Sequence, residues 1–202
     1  MKAAVAVFVA GMFAVGPAAA DPLKIDLNGN MRMVHPNPAF QDVPIEPAFE
    51  DYMYMMFDVC DAVEIKCLIY PMMGEIGNAV AAIYADGTPM IIYDRRLNTL
   101  IGGDGAHAVI AHELGHHYCG HLTDRKNIAP HQMETEADSF MGLAMRKLGT
   151  SLEDLNQTYL DLGIDQASST HPAFAERSAA ITAGYNASSL QEICVSSGGA
   201  NP

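Results

Sequence analysis

The stretch DGAHAVIAHELGHHYCG, residues 104–120, decides how this chain folds around a site. Its apolar residues recur at helical spacing, Asp104 offers a helix N-cap, and Gly120 offers a stop. We therefore predict a helix over residues 106–119.

Within this helix, His112, Glu113 and His116 match the pattern H-E-x-x-H. Two histidines four residues apart project from one helix face, about 40° apart, so both imidazoles can reach one Zn²⁺ ion. Glu113 lies about 100° from His112, where its carboxylate can face an activated water and act as general base without being a ligand. The alternatives are a chance match and histidines that only pack in the core.

A catalytic zinc needs a third protein ligand, and a second predicted helix, Pro130–Leu148, offers one. Glu134 falls inside its apolar stripe beside Asp138, whereas Glu136 points roughly 160° away among polar positions. Because an unpaired buried carboxylate is costly, we predict that Glu134 binds zinc and that Asp138 accepts a hydrogen bond from a ligand histidine. Alternatively, both are ordinary acids of an acidic helix.

The rest of the chain predicts an α+β fold, mostly helical, with a small antiparallel hairpin ahead of the H-E-x-x-H helix. The hairpin joins 79–85 to 89–93 through the turn signal Asp86-Gly87-Thr88. Further helical signals cover 47–63, 152–162 and 173–184. The predicted organisation is an irregular proline-rich arm over 21–46, one domain over 47–195 and a disordered tail over 196–202.

The first twenty residues are typical of a secretory signal: Lys2 precedes an apolar run that ends in the small residues 18–20. A membrane anchor is the alternative, but Gly16-Pro17 interrupts the run early. We therefore predict cleavage after Ala20, a periplasmic or secreted protein, and no stable membrane insertion after cleavage.

The net charge is −13, and becomes −14 once Lys2 leaves with the signal. An acidic surface opposes binding to nucleic acid and to anionic lipid. Four cysteines suit an oxidising compartment, where three pairings are possible. Cys60 with Cys67 and Cys119 with Cys194 are favoured over a thiolate zinc site, because no Cys-x-x-Cys pair occurs.

His112-Glu-Leu-Gly-His116, followed by Glu134-x-x-x-Asp138, resembles the zinc peptidase family of the CAAX prenyl proteases and their bacterial heat-shock and periplasmic relatives. The hairpin and the segment Thr170-His171-Pro172 extend the likeness to about Gly77–Ile181. It implies a zincin-like fold, one Zn²⁺ per chain with Glu134 as third ligand, and endopeptidase activity on peptides or unfolded proteins. It also implies an upper strand whose free edge pairs with the substrate backbone.

By the same likeness, His171 would lie near the open zinc position, stabilising an oxyanion or capping the metal, and Arg177 would support it or pair with an acid. His117 and His121 are predicted to pack or to support ligands rather than to bind metal. The chain has no transmembrane helices after its signal and no following repeat domain, so prenylated substrates and a chaperone role are not implied. The alternative functions are a catalytically silent zinc-binding or chaperone-like envelope module and a structural envelope protein.

Overall fold

The computed structural model describes residues 23–24, 31–34, 43–48, 51–125, 127–161 and 166–194. The predicted signal over 1–20, the predicted tail over 196–202 and most of the N-terminal arm lie outside the described residues.

The helices follow the apolar periodicity of the sequence and confirm the α+β class. The predicted helix at Pro130–Leu148 is found with those bounds, and Gly149 ends it in the left-handed region with φ 94°. In chain order the helices are α1 Asp51–Ala62, α2 Leu97–Tyr118, α3 Pro130–Leu148, α4 Leu152–Asp161, α5 Phe174–Asn186 and a 3-10 helix Leu190–Glu192.

The sheet is larger than the predicted hairpin, and it is mixed rather than antiparallel. Its strands are β1 Leu23–Lys24, β2 Met31–Met33, β3 Pro44–Pro47, β4 Tyr70–Gly74, β5 Ala79–Tyr84 and β6 Pro89–Asp94. Their order in the sheet is β1-β3-β4-β6-β5-β2, with β4 parallel to β6 and the other pairs antiparallel. The predicted hairpin is confirmed as β5 and β6.

The N-terminal arm is not irregular where the structure describes it, because β1, β2 and β3 belong to the sheet. These strands are two to four residues long, too short to carry a readable period of two, and their pairing depends on distant partners. As a result, one edge of β5 is partly covered. β2 pairs with it at Ala82, Ile83 and Tyr84.

Helix α2 begins earlier than predicted and contains a break. Gly102 has φ 74° and ψ 171°, a conformation that glycine adopts without the steric cost of a Cβ. Since Gly102 is the non-helical residue, it occupies the cap position of the following segment, and the prediction of Asp104 as N-cap is wrong. The short segment from Leu97 to Ile101 therefore stands apart from the long segment that carries the histidines.

Helices α2 and α3 cross at Gly115, inside the H-E-x-x-H pattern. A Cβ placed there would lie 2.9 Å from Cα of Ala137 and 2.9 Å from Cβ of Phe140. Only glycine permits this approach, because real Cβ atoms do not come so close to other carbon atoms. The close crossing brings Glu134 of α3 alongside the histidines of α2.

Both favoured cysteine pairings are confirmed: Cys60 with Cys67, and Cys119 with Cys194. The second disulfide ties the C-terminal end of α2 to the segment after the 3-10 helix. In the described part of the chain, no helix is long and apolar enough to cross a bilayer.

Candidate metal centre

Three side chains on two helices converge on one point. Nε2 of His112 and Nε2 of His116 lie 3.1 Å apart. The Glu134 carboxylate approaches both rings, with Oε2 3.4 Å from His112 Nε2 and Oε1 3.2 Å from His116 Nε2. All three residues are buried, and their ligand atoms lie within 4.8 Å of one another. This group could bind a metal ion.

His112 is held from behind by Asp138, as predicted. Its Nδ1 lies 2.9 Å from Asp138 Oδ1. Arg177 donates two hydrogen bonds of 2.8 Å to the same carboxylate, and the Tyr159 hydroxyl donates a third at 2.9 Å. Arg177 also lies 3.6 Å from Glu134, so it supports two acids of the site at once.

His116 is held by a different arrangement, which begins past the end of α2. Gly120, with φ 70°, closes the helix in a Schellman motif, because its N–H donates to His117 O and the His121 N–H donates to His116 O. This turn folds His121 back onto the last helical turn. His121 Nδ1 then lies 2.8 Å from His116 Nδ1.

Glu136 completes this second arrangement, and its prediction as an outward polar residue is wrong. It is buried, with Oε2 3.1 Å from His121 Nε2. Arg125 binds both carboxylate oxygens, one of them at 2.8 Å, and Gln132 donates to Oε1 at 3.0 Å. The loop that carries His121 and Arg125 covers the face of α3 that the helical pattern assigns to solvent.

Glu113 stands beside the ligand group without belonging to it. Its carboxylate accepts a hydrogen bond of 2.6 Å from the backbone N–H of Ala81 on β5. Glu113 is buried and lines the same cavity as His112 and Glu134. The strand therefore fixes the orientation of a carboxylate next to the ligand group.

His171 faces the site from the loop before α5. Its Nε2 lies 3.3 Å from Glu134 Oε2, and its Nδ1 lies 2.8 Å from the hydroxyl of Thr170. It does not belong to the described three-ligand cluster, and about two fifths of its side chain is exposed. His171 is thus placed toward the cavity rather than inside the ligand group.

A cavity of about 500 Å³ opens onto these groups. Its lining combines the polar site residues with a group of apolar side chains, here called the apolar wall. That wall is formed by Leu97, Leu100, Ile101 and Val109. The break at Gly102 separates the first three of these residues from the histidine-bearing segment.

The surroundings shift the pKa values of His112 and His116 in opposite directions. Burial opposes protonation of His112, but the carboxylates of Glu134 and Asp138 outweigh it and raise the pKa of His112 to about 10. Burial lowers the pKa of His116 to about 3, with a further contribution from the charge of His112 and against the opposing effect of Glu134.

The two supporting carboxylates stay ionised. Burial would raise the pKa of Asp138, but hydrogen bonds from Arg177 and His112 outweigh it and hold that pKa below the usual value. Burial also opposes ionisation of Glu136, while hydrogen bonds from His121 and Arg125 lower its pKa to about 2.

The structure brings together all seven residues that the sequence singled out: His112, Glu113, His116, Glu134, Asp138, His171 and Arg177. Glu136 and Arg125 were missed. Their sequence signal is weak, since each joins the site only through the loop after α2. Comparison with family models, with curated proteins and with solved structures finds no match to this chain.

Proposed function

We propose that this protein is an exported zinc metalloendopeptidase, similar to the family that its H-E-x-x-H and E-x-x-x-D patterns resemble. One observation carries the proposal. The buried donor atoms of His112, His116 and Glu134 meet at one point, and the Glu113 carboxylate is fixed beside them in the same cavity.

The donor set supports zinc as the metal. Two imidazole nitrogens and one carboxylate oxygen, with room for one more ligand, form a usual set for catalytic zinc. Tetrahedral zinc with bonds of about 2.0–2.1 Å requires about 3.3 Å between ligand atoms. The two Nε2 atoms lie 3.1 Å apart, and each lies 3.4 or 3.2 Å from one of the two Glu134 carboxylate oxygens, which is close to this requirement.

When bound, the ion supplies Lewis-acid activation of a water molecule and of the scissile carbonyl. Glu113 accepts the proton of the attacking water and delivers it to the leaving amine. The Ala81 N–H keeps the Glu113 carboxylate turned toward the cavity during both transfers. His171, facing the cavity beside Glu134, donates to the carbonyl oxygen as negative charge develops on it.

The substrate in this proposal is a peptide or an unfolded protein. A cavity of about 500 Å³ that opens beside the ligand group can admit one or two residues of an extended chain, and the apolar wall suits an apolar side chain. Export is supported by the two disulfides, which persist in oxidising compartments, and by the signal-like N-terminus.

Replacing Glu113 with Gln tests the proposed base. We expect zinc to remain bound at one equivalent while cleavage of a casein-type unfolded substrate falls by about 10²–10⁴-fold, because the amide cannot accept the proton. Glu153→Gln, which removes the same charge from the exposed face of α4, is the matched control and should keep full activity.

Metal analysis of the purified protein separates the alternatives. One equivalent of zinc with activity lost in Glu113→Gln supports the peptidase. One equivalent of zinc without any cleavage by the parent protein favours a silent zinc-binding module. Less than about one tenth of an equivalent, even after zinc is supplied, would remove the metal centre and the peptidase with it.

A further inference from the structure

A buried chain of four side chains leads from the loop after α2, across α3, to the back of His116. Arg125 binds Glu136, Glu136 contacts His121 at 3.1 Å, and His121 contacts His116 at 2.8 Å. All the carboxylate and ring atoms in this chain belong to residues that are at most a few per cent exposed, apart from the arginine. Water does not compete for these hydrogen bonds.

The hydrogen-bond partners of His121 indicate how the protons are arranged when its ring is neutral. The Glu136 carboxylate, ionised against Arg125, can only accept, so the proton between Glu136 and His121 sits on Nε2 of His121. A neutral His121 with its proton on Nε2 has a lone pair on Nδ1. Nδ1 of His116 must then be the donor in the contact between the two rings.

The tautomer of His116 determines which of its ring nitrogens can bind a metal. A neutral imidazole protonated on Nδ1 carries its lone pair on Nε2, and Nε2 of His116 is the atom that faces His112 and Glu134. The opposite tautomer would direct an N–H at the metal position, toward Glu134 Oε1 at 3.2 Å, and would leave two lone pairs facing each other between His116 and His121. The buried acid therefore selects the form of His116 that can bind a metal.

The geometry points to His121, held by Glu136 and Arg125, as a positioning residue that fixes the Nδ1-protonated tautomer of His116 and thereby presents its Nε2 lone pair to the metal. This inference rests on the proposed metal centre for its function. The tautomer itself is a property of the metal-free protein and can be measured without it.

The test compares His121→Phe with His121→Asn. Phenylalanine fills the ring volume but offers no acceptor, whereas the asparagine side-chain oxygen can take the hydrogen bond from His116 Nδ1. His117→Phe is the matched control, because His117 lies next to His116 on α2 but donates to the backbone oxygen of Met90 at 2.7 Å instead. Zinc affinity is measured by competition with a chromophoric chelator, and the protonated ring nitrogen by ¹⁵N NMR of the metal-free protein.

We expect His121→Phe to weaken zinc binding by about 10–100-fold, the usual effect of losing a residue that orients a ligand. His121→Asn should recover most of this loss, and His117→Phe should leave the affinity within about twofold. The ¹⁵N spectrum should show Nδ1 of His116 protonated in the parent and a mixture of tautomers in His121→Phe.

The inference is overturned if His121→Phe binds zinc as tightly as the parent, or if His116 keeps the same tautomer in that variant. Should His121→Phe fail to fold, Glu136→Met provides the second variant, because methionine has a similar length but offers His121 Nε2 no carboxylate. An unchanged tautomer and an unchanged zinc affinity in that variant would likewise overturn the inference. A failure of the proposed function gives a different result. The parent protein then binds no zinc or cleaves no substrate, while His121→Phe still changes the tautomer of His116 in the metal-free protein.

Discussion

Asp138 and Glu136 lie two residues apart on α3, and each carboxylate stands behind one of the histidines of α2. Asp138 contacts its histidine directly, with His112 Nδ1 at 2.9 Å. It also accepts two hydrogen bonds from Arg177 and one from Tyr159. An acid, an arginine and a neutral donor thus hold the first histidine.

Glu136 has the same kinds of partner in a different order. Arg125 binds both of its oxygens, and Gln132 is its neutral donor. Its imidazole partner is His121, which in turn contacts His116. The support of His116 through His121 thus contains one more imidazole ring than the direct support of His112 by Asp138. We call these two supports the longer arm and the direct arm.

The helix explains this difference. Residues two apart on an α-helix point about 200° from each other, so Asp138 and Glu136 cannot both face the rings of α2. Glu136 reaches its histidine only because the turn at Gly120 returns His121 to the last turn of α2. One helix, α3, can therefore support two histidines of α2 when a residue from the loop after α2, here His121, bridges the second acid to its histidine.

Asp138→Asn should produce the largest effect, since it breaks the direct arm. Arg177 would keep its charge in a buried position with only Glu134, 3.6 Å away, as an ionised neighbour, which costs about 4 kcal/mol of unfolding free energy. Zinc affinity should fall by about 10–100-fold. Urea unfolding at pH 7 and chelator competition measure the two quantities. A loss below about 1 kcal/mol would mean that Asp138 does not hold the arm together.

Gly115→Ala should have the next largest effect, because it changes both arms together. The added Cβ meets Cα of Ala137 at 2.9 Å, and a helix backbone cannot turn aside as a side chain does. We expect a loss of about 3 kcal/mol and weaker zinc binding. Gly103→Ala is the control: nothing crowds that position, so the change should be neutral or stabilising by about 0.5–1 kcal/mol.

The acid and the histidine of the direct arm could be predicted from the sequence, but its Tyr159 and the longer arm could not. Helical periodicity alone places Glu134 and Asp138 on one buried face, and the fourfold spacing pairs His112 with His116. Periodicity also assigns Glu136 to solvent, because it cannot register a loop that folds over that face.

The sheet shows the same limit. The hairpin of β5 and β6 could be predicted because its turn and its two apolar segments are adjacent in sequence. Strands β2 and β3 could not, since each gains its stability from a partner about 30 to 50 residues away rather than from its own pattern. The pairing of β2 with Ala82, Ile83 and Tyr84 of β5 is an example of this long-range pairing.

Glu136→Gln tests the longer arm through its pH dependence. The folded-state pKa of Glu136 is about 2, below its usual value of 4.5, so its ionised form stabilises the fold. That stabilisation is complete above pH 4.5 and is lost as the pH falls toward 2. We therefore expect Glu136→Gln to cost about 2 kcal/mol at pH 7 and progressively less below pH 4.5. Urea unfolding of both proteins between pH 7 and pH 3 measures this difference, and a constant difference throughout contradicts the assignment.

The smallest effects should come from the neutral donors, and they show which arm is better shielded from water. Burial raises the pKa of Tyr159, so its hydroxyl keeps its proton and donates to Asp138. Tyr159→Phe should cost about 1 kcal/mol, the usual net value of a buried hydrogen bond. Gln132 is only partly buried, so Gln132→Met should cost about half as much, because water can replace its amide on Glu136. Thermal unfolding of the two variants gives both values, and a larger loss in Gln132→Met would show that the longer arm is the more tightly enclosed of the two.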